Sequence, residues 1–434
     1  MKKIPFHSAN FDDFLYILFL FIVFLFQTIP IQESELLQPS QLACTSPMRK
    51  MRSAFPRILN LKSLPSFILL AGIGNTPHQT FCSPSSGYAS NLQPRSSFVD
   101  VKVEDVKENL LHVLKHQLHD DASAEVIADT IIFAELRNNN QGIVKVIAGA
   151  LKPHPAATGM RTIYETPVSC QIDGGQQIGM VVVNHCVNIA IKKAKISGVC
   201  VVGVSNYSSA TGALGVWARN ISRNGLISIV MSQCPEMVAP CGSYEPIFGT
   251  NPLAIGIPTL PRVQVLDMAT SASAWYGLVT AAEEGKSIPD DVAYDSNGVP
   301  TTDPIEAMKG ALRVFDRGHK GSHLALMVEL LAGALTGASM SDKHSTKNWG
   351  SLIIAIDPTI LGPIEGFQER AAEMCNRVKN AKKLPGHEHK EIFLPGERGD
   401  ILEEEQLRKG YIRISEKLYS DLVVMASQCA VTDK

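Results

Sequence analysis

Apolar residues beyond position 98 recur with helix-like and strand-like spacing in alternation. In Val101–Leu118 an apolar residue returns every three or four positions, which predicts a helix with one buried face. Val199–Val204 is a continuous, valine-rich run, which indicates a strand buried on both faces. Further strands are predicted over Leu226–Met231, Val263–Leu266 and Leu352–Ile356, and further helices over Ala122–Leu136, Val182–Ile196, Ser322–Leu335 and Ile364–Asn380. Helices that alternate with strands in this way predict an α/β fold.

Polar and glycine residues support the bounds of two predicted helices. Asp120 or Asp121 stands where a carboxylate can accept the free N–H groups of the helix that begins at Ala122. Gly198 closes the helix Val182–Ile196, because glycine readily adopts the left-handed backbone angles that end many helices.

The first 98 residues follow a different pattern. Lys2 and Lys3 precede an unbroken apolar run, Phe14–Phe26, whose 13 residues are too few to span a bilayer and suit the core of a signal peptide. From Leu36 to Phe98 there is no acidic residue, while serine occurs 11 times among six basic residues. This composition is typical of an organelle transit peptide.

Together the two patterns predict a targeting leader over residues 1–98, signal-like and then transit-like, and a working body over residues 99–434. Such a leader directs the chain to an organelle, mitochondrion or plastid, with no stable membrane association after processing. A secretory route and an N-terminal membrane anchor are open alternatives. So is a start at Met48 or Met51, which would leave a simple mitochondrial leader.

The composition of the chain is that of a globular protein. Hydrophobic residues make up 45% and charged residues 19%, which excludes a disordered, collagen-like or coiled-coil protein. The net charge of -2 is the sum of two segments with opposite charge. Residues 1–98 hold eight basic and four acidic residues, a net charge of +4, so the body carries -6. A negative body argues against binding to nucleic acid. Nine cysteines without a C-x-x-C pair predict no disulfide framework.

The common fingerprints of nucleotide and metal sites are absent from the body. Gly174–Gly175 lacks the further glycine of a dinucleotide-binding turn, and Thr280 stands where a Walker A loop ending at Lys286 needs a glycine. His319 and His323 are spaced by one helical turn but have no third ligand nearby in sequence. No metal site is predicted.

Small, polar turns follow the predicted strands instead. Each alone is an ordinary chain reversal, but the strings Gly249–Pro252 (Gly-Thr-Asn-Pro) and Asp267–Ser271 (Asp-Met-Ala-Thr-Ser) are more specific. The series comprises Ser205–Gly212, Phe248–Pro258, Leu266–Ser271, Thr301–Pro304, Gly318–Gly321 and Leu394–Arg398. In this order, from about Val101 to the C-terminus, the turns resemble the malate/L-lactate dehydrogenase family, which also holds ureidoglycolate and sulfolactate dehydrogenases.

The resemblance implies a non-Rossmann α/β fold of the malate/L-lactate dehydrogenase type, with mixed sheets and surrounding helices. The N- and C-terminal parts of the body would form one lobe, and about residues 155–320 a cofactor-binding lobe. The resemblance also implies a homodimer that transfers a hydride between NAD or NADP and a small 2-keto or 2-hydroxy acid. The missing glycine fingerprint is no objection to such a fold.

The same resemblance assigns site residues. Asp267 suits a cofactor role, since a carboxylate at a strand end can accept ribose hydroxyls, although it could also cap a helix opening at Ala269 and Thr270. The cofactor would contact Lys145, Ser232, Asp267, Met268, Ala269, Gly318, Lys320, Gly396 and Glu397, and the substrate pocket would include Asn206, Thr250 and Asn251.

The chain departs from the family pattern at the two usual histidines. Gln141 and Tyr207 occupy those positions, and Lys145 occupies the position of an arginine. Glutamine exchanges no proton, and tyrosine, with an ordinary pKa of about 10, does so near neutrality only if its surroundings lower that value. Lysine keeps the positive charge but loses the forked geometry of arginine.

Three functions are therefore compatible with the sequence. In the first, the protein is an NAD(P)-dependent oxidoreductase whose acid is Tyr207, or a histidine such as His185 or His319. In the second, it binds the dinucleotide without dehydrogenase chemistry and acts as a sensor or subunit. In the third, it performs an altered reaction on another substrate. Retained cofactor binding is the expectation that the first two share.

Overall fold

A computed structural model describes residues 97–117 and 119–432 of the chain. Apart from its last two residues, the predicted leader lies outside the described residues and stays a prediction. The described residues belong to one compact unit. The predicted division of the body into two lobes likewise stays a prediction.

A seven-stranded sheet forms the centre of the described chain. The strands of the described chain, in this sheet and in two small ones, are β1 (Phe98–Lys102), β2 (Arg161–Thr166), β3 (Ser169–Asp173), β4 (Val199–Tyr207), β5 (Ile227–Ser232), β6 (Leu253–Ile257), β7 (Gln264–Met268), β8 (Ala293–Tyr294), β9 (Ala311–Leu312), β10 (Trp349–Ile356) and β11 (Tyr411–Ser415). The large sheet has the order β2-β3-β4-β10-β5-β6-β7. Only β3 and β4 pair in parallel, so the sheet is mixed, as predicted.

Helices cover the sheet and fill the connections between its strands. They are α1 (Val103–His116), α2 (Asp121–Leu136), α3 (Val144–Ile147), α4 (Gly179–Ser197), α5 (Leu214–Arg223), α6 (Trp275–Glu283), α7 (Pro304–Lys309), α8 (His319–Val328), a π-helix (Glu329–Ala334) that continues α8, α9 (Lys343–Thr346), a 3-10 helix (Pro358–Leu361), α10 (Ile364–Lys379), α11 (Glu397–Lys409) and α12 (Glu416–Thr432).

The predicted helix ends are confirmed where capping residues marked them. The Asp120 side chain accepts a hydrogen bond from the Ser123 backbone N–H at 2.9 Å, so Asp120 rather than Asp121 is the N-cap of α2. Gly198 ends α4 with a left-handed φ of 80°. A short polar side chain and a glycine therefore mark these two helix ends.

Two predictions need correction. The segment Phe248–Pro258 is not a turn throughout, because Leu253–Ile257 within it is strand β6. Its small residues serve close packing under α5: a Cβ atom on Gly256 would lie 2.4 Å from the Ser222 hydroxyl. The helix predicted over Ser322–Leu335 starts earlier and ends as the π-helix Glu329–Ala334.

The largest hydrophobic cluster lies between the sheet and helices α1, α2, α4, α5 and α12. Val202 of β4 and Ile353 of β10 are fully buried in it, as is Val183 of α4. Val101 and Ile412 bring the antiparallel pair β1 and β11 into the same cluster, so the two ends of the body share one core. Each such side chain contributes roughly 1.5–3 kcal/mol through burial.

Several strand ends meet at one edge of the large sheet. In the pairing register, Tyr207 at the end of β4 lies beside Trp349 at the start of β10, and Ser351 lies beside Ser232 at the end of β5. The start of β6 and then the end of β7 follow along the same edge. Loops that leave these strands therefore lie side by side.

Candidate functional site

A cleft of about 580 Å³ opens at this edge of the sheet. Its walls come from the loops after β4, β5 and β7, the starts of β6, α6 and β10, and the segment 139–155. The predicted site residues that line it are Gln141, Lys145, Thr250, Asp267, Met268 and Ala269. Two of them are ionisable, the basic residue Lys145 and the acidic residue Asp267. Their side chains determine which chemistry the cleft can perform.

Lys145 lies in the short helix α3 at the floor of the cleft and is only 2% exposed. Its Nζ atom is 3.9 Å from the centroid of the Tyr276 ring, a cation–π contact that replaces part of its lost hydration. Burial lowers the pKa of Lys145 to about 7, and the nearby Cys234 opposes that change. An amine with this pKa can both donate and accept a proton near neutrality.

The backbone that carries Lys145 is held by Glu135. The Ile143 N–H donates to the Glu135 Oε1 atom at 2.6 Å, just before α3 begins. Gly142 packs directly on this carboxyl group, and a Cβ atom there would lie 2.1 Å from Oε1. Burial raises the pKa of Glu135 to about 7, while the bond from Ile143 opposes the rise. The glycine is therefore required for the close approach that positions Lys145.

Asp267 lies at the end of β7, in the opposite wall. Its Oδ2 atom accepts a hydrogen bond from the Gly215 N–H at 2.7 Å, in the first turn of α5. Surrounding protein raises the pKa of Asp267 to about 6, against the effects of Gly215 and Arg137, but the residue is exposed to the cleft and water limits this rise. The alternative that Asp267 caps a helix at Ala269 is wrong, because that helix begins at Trp275.

Tyr207 lies behind the cleft wall. Its hydroxyl group is 2.7 Å from the Ser351 hydroxyl and donates to the Gly350 carbonyl at 3.1 Å, and the side chain is fully buried. Trp349, which does line the cleft, packs edge-on against it with 6.5 Å between ring centroids. Burial raises the pKa of Tyr207 further from neutrality. Tyr207 thus has neither the position nor the proton affinity of an acid in this cleft.

Asn206, Asn251 and Ser232 also stand behind the walls. The Asn206 Nδ2 atom donates to Asp173 Oδ1 at 2.6 Å, and the Ser232 hydroxyl is 2.7 Å from that of Ser351. Of the described residues that line the cleft, none is Asn206, Asn251 or Ser232. Of the three, Asn251 bonds to a residue that does line it, by accepting from the Cys234 N–H.

Asn251 belongs to a buried polar cluster centred on Glu329. The Glu329 Oε1 atom accepts from Asn251 Nδ2 at 2.9 Å and from Lys343 Nζ at 2.7 Å, while Oε2 accepts from Gln233 Nε2 at 2.9 Å. The Asn251 Oδ1 atom accepts from the Cys234 N–H at 3.2 Å. The cluster therefore fixes the cleft loops after β5 and before β6 relative to the π-helix.

The remaining predicted cofactor residues, Gly318, Lys320, Gly396 and Glu397, do not line the cleft. Pro395 accepts a hydrogen bond from the Val265 N–H of β7 at 3.3 Å, which places the Gly396 turn against that edge strand. Gly396 has a left-handed φ of 81°, and Glu397 accepts from the Leu394 N–H at 2.7 Å. Gly318 is the N-cap of α8, and Lys320 lies in the first turn of that helix. Neither His185 nor His319 lines the cleft.

Several lining residues were missed at the level of sequence. Tyr276, Cys234 and His154 carry no local pattern that separates them from structural residues. Lys347 and Trp349 do carry a signal, because polar and aromatic residues stand directly before the predicted strand Leu352–Ile356. A strand that starts at the edge where others end brings such residues to the site.

Comparison with known proteins connects this cleft to a family. The sequence pattern described as malate/L-lactate dehydrogenase matches residues 101–423. The L-sulfolactate dehydrogenase of Methanothermobacter thermautotrophicus is 34% identical over 322 residues, which cover 71% of this chain and 91% of that protein. The malate dehydrogenase of Pyrococcus abyssi is 32% identical over 356 residues, which cover 77% and 96%. The NAD(+)-dependent ureidoglycolate dehydrogenase of Escherichia coli K12 is 32% identical over 314 residues, which cover 69% and 88%.

Solved structures show the same similarity in three dimensions. The sulfolactate dehydrogenase from Methanocaldococcus jannaschii superposes with a TM-score of 0.66 at 30% identity and covers 76% of this chain and 98% of its own. The malate dehydrogenase from Entamoeba histolytica superposes with a TM-score of 0.70 at 27% identity and covers 77% and 99%. The predicted non-Rossmann fold is thereby confirmed.

Proposed function

The chain belongs to the malate/L-lactate dehydrogenase family, and we propose that it transfers a hydride between the nicotinamide of NAD or NADP and a small 2-hydroxy or 2-keto acid. The observation that carries this proposal is the position of Lys145 on the cleft floor, with a pKa lowered to about 7 by burial. Lys145 supplies a proton-exchanging group in place of the two histidines that the resemblance predicts to be replaced.

The cleft fits a dinucleotide on the side of Asp267. This carboxylate is exposed to the cleft and can accept ribose hydroxyls with the lone pairs that Gly215 leaves free. Met268 and Ala269 continue the same wall. The bound nicotinamide would supply or accept the hydride. The protein's part is to hold the reactants and exclude water.

Lys145 combines two tasks toward the acid substrate. Its ammonium has three N–H donors, and the keto oxygen and carboxylate of a 2-keto acid are adjacent, so one ammonium can contact both. In reduction, the Lys145 Nζ atom donates a proton to the developing alkoxide; in oxidation, the neutral amine accepts it. Burial of the amine beneath the Tyr276 ring excludes water and keeps its pKa low, against the opposing effect of Cys234.

The test is a titration of the full-length chain with NADH and NADPH, followed by a panel of 2-keto acids. We expect cofactor binding in the micromolar to millimolar range and oxidation of the reduced cofactor by at least one acid. Lys145→Met should bind cofactor normally but lose about two orders of magnitude in kcat, the usual size of a general-acid contribution. Lys309→Met, which removes an exposed lysine paired with Glu306, is the matched control and should behave as wild type.

One observation favours a second function, dinucleotide binding without turnover. Gln141 lines the cleft, and the resemblance predicts it at the position of a family histidine, but its amide does not titrate near neutrality. If wild type binds NADH and oxidises none with any acid, while Gln141→His gains turnover, the protein is a binding homologue. Substitution of Tyr207 would not serve this test, since its side chain is fully buried and does not line the cleft.

A further inference from the structure

The strand order places the two ends of the cleft at a known separation. Asp267 lies at the end of β7 and Trp349 at the start of β10, on the same sheet edge, with β6 and β5 between them. Three strand spacings amount to about 14 Å. The cleft therefore has a β7 end and a β10 end, and one small substrate is too short to reach both.

The predicted cofactor turns gather at the β7 end. Pro395, beside Gly396, bonds to Val265 of β7, and the Phe315 N–H donates to the Thr270 carbonyl just after β7. The dinucleotide of the proposed function would therefore extend outward from β7. That leaves the β10 end of the cleft to the substrate.

Lysine and histidine side chains line the β10 end of the cleft. His344 and Lys347 precede β10, and Lys152 and His154 line the cleft from segment 139–155. In the described part of the chain no carboxylate forms an ion pair with any of these four residues. The single carboxylate among the described lining residues is Asp267, at the other end. The ammonium groups of Lys152 and Lys347 thus have no carboxylate partner among the described residues and suit an anion, to which the His344 ring can add an N–H donor.

The backbone that carries Lys347 is rigidly held. It has a left-handed φ of 51°, and its carbonyl accepts from Gln176 Nε2 at 3.0 Å. The segment is anchored by the buried ion pair of Lys343 with Glu329, at 2.7 Å, and by Trp349 Nε1, which donates to the Lys343 carbonyl at 2.8 Å. A non-glycine residue adopts such a backbone angle only when its surroundings impose it. The Lys347 ammonium, 5.9 Å from the Trp349 ring centroid, is thus presented from a fixed point.

We propose that Lys347, assisted by His344, binds a second anionic group at the far end of the substrate, a carboxylate or a sulfonate. The inference rests on the proposed function and deepens it: the preferred substrates are dianionic 2-keto or 2-hydroxy acids. Lys145 contacts the carboxylate next to the reacting carbon, and Lys347 contacts the distal acid group. Both ends of a short dianion then have a cation, which fixes the orientation of the reacting carbon.

The experiment compares oxaloacetate, a dianion, with pyruvate, a monoanion, in the full-length protein. We expect Lys347→Gln to lower kcat/KM for oxaloacetate by on the order of 10-fold, the value of one lost charge-assisted contact, and to leave pyruvate unchanged. NADH and NADPH affinities should also stay the same. Lys382→Gln, which removes an equal charge from an exposed position outside the cleft, is the control.

Two results would overturn the inference. If kcat/KM falls equally for both acids, Lys347 does not bind the distal acid group. If the variant binds NADH or NADPH more weakly, Lys347 binds a cofactor phosphate instead. If no 2-keto acid oxidises NADH, the proposed function fails by itself. The affinity for oxaloacetate, measured by calorimetry in wild type and Lys347→Gln, then decides the inference: a weakened variant supports it, and an unchanged one rejects it.

Discussion

At the scale of single residues, the central feature is a lysine that the fold forces into a dry position. Lys145 could be found in the sequence because the resemblance predicted it at the position of a family arginine, but its lowered pKa could not. The shift is caused by burial, and the groups that enclose the amine, such as Tyr276, come from distant parts of the chain. In the same way, nothing local to Tyr207 reveals that Trp349 covers it.

The burial of Lys145 also predicts a pH-dependent cost in stability. Its pKa is about 7 in the folded protein against 10.5 for an ordinary lysine, so the unfolded chain binds more protons between these values. Wild-type stability should therefore rise with pH from about 7 toward 10.5 relative to Lys145→Met. We expect the variant to be more stable at pH 6, and this advantage to shrink by on the order of 2 kcal/mol at pH 9.

Chemical denaturation of both proteins at the two pH values measures this difference. An advantage that does not change with pH would mean that Lys145 is fully hydrated and keeps an ordinary pKa. Lys309→Met serves again as control, because Lys309 is exposed and should show no such dependence.

At the scale of elements, a network of ion pairs joins α2, α5 and α11 beside the cleft. Glu403 accepts from Arg137 at 2.7 Å and from Arg219 at 2.5 Å, and all three side chains are nearly buried. Both guanidinium groups also lie over the Phe133 ring, at 4.9 Å and 4.3 Å from its centroid. Arg137 also donates to the Gly396 carbonyl at 2.9 Å, so the network connects the predicted cofactor turn to the start of segment 139–155.

Two neighbouring glutamates allow a matched test of this network. Glu403→Gln removes the carboxylate that the two buried guanidinium groups share and leaves Asp400, 2.5 Å from Arg137 and 4.0 Å from Arg219, as their remaining acidic partner. We expect the free energy of unfolding to fall by about 3 kcal/mol, the lower end for a broken buried pair. Glu404 pairs with Arg262 at the surface, with its side chain 58% exposed, so Glu404→Gln should cost less than about 1 kcal/mol. Urea unfolding measures both. Equal losses would indicate that the buried network contributes nothing beyond a surface pair.

Helices could be predicted from the sequence where the spacing of apolar residues is regular and a capping residue marks an end. The alternating pattern and the residues Asp120 and Gly198 were sufficient for α2 and α4. Strand β6 was missed because Gly256 and its neighbours look like a turn, while their small size in fact serves the contact with α5. The cleft was half predictable: the strings at Thr250 and Asp267 marked it, but Asn251 and Ser232 proved to be supports behind its walls.

At the scale of the whole molecule, an exposed strip of apolar side chains is a candidate contact surface for the predicted homodimer. Leu326, Leu330 and Leu335 are exposed along α8 and the π-helix. Exposed apolar strips of this kind often mark contacts between subunits. Within residues 97–117 and 119–432 no helix combines the length and apolar character needed to cross a membrane. The homodimer and the organelle leader both stay predictions.

The strip predicts the effect of one added charge. Leu330→Lys should shift the protein from dimer to monomer in sedimentation velocity, because a lysine there would have to be desolvated in the contact. Leu384→Lys, at an exposed leucine outside the strip, should leave the assembly unchanged. A monomeric wild type, or a dimer insensitive to Leu330→Lys, would remove this surface from consideration.

The pH dependence of turnover tests the central claim, that Lys145 exchanges the proton in NAD(P)-dependent chemistry. Reduction of a 2-keto acid needs the protonated lysine, so its kcat/KM should fall as pH rises through about 7. Oxidation of the 2-hydroxy acid needs the neutral amine and should rise through the same range. Both dependences should vanish in the residual activity of Lys145→Met. A Lys145→Met protein with the wild-type rate and pH profile would contradict the account.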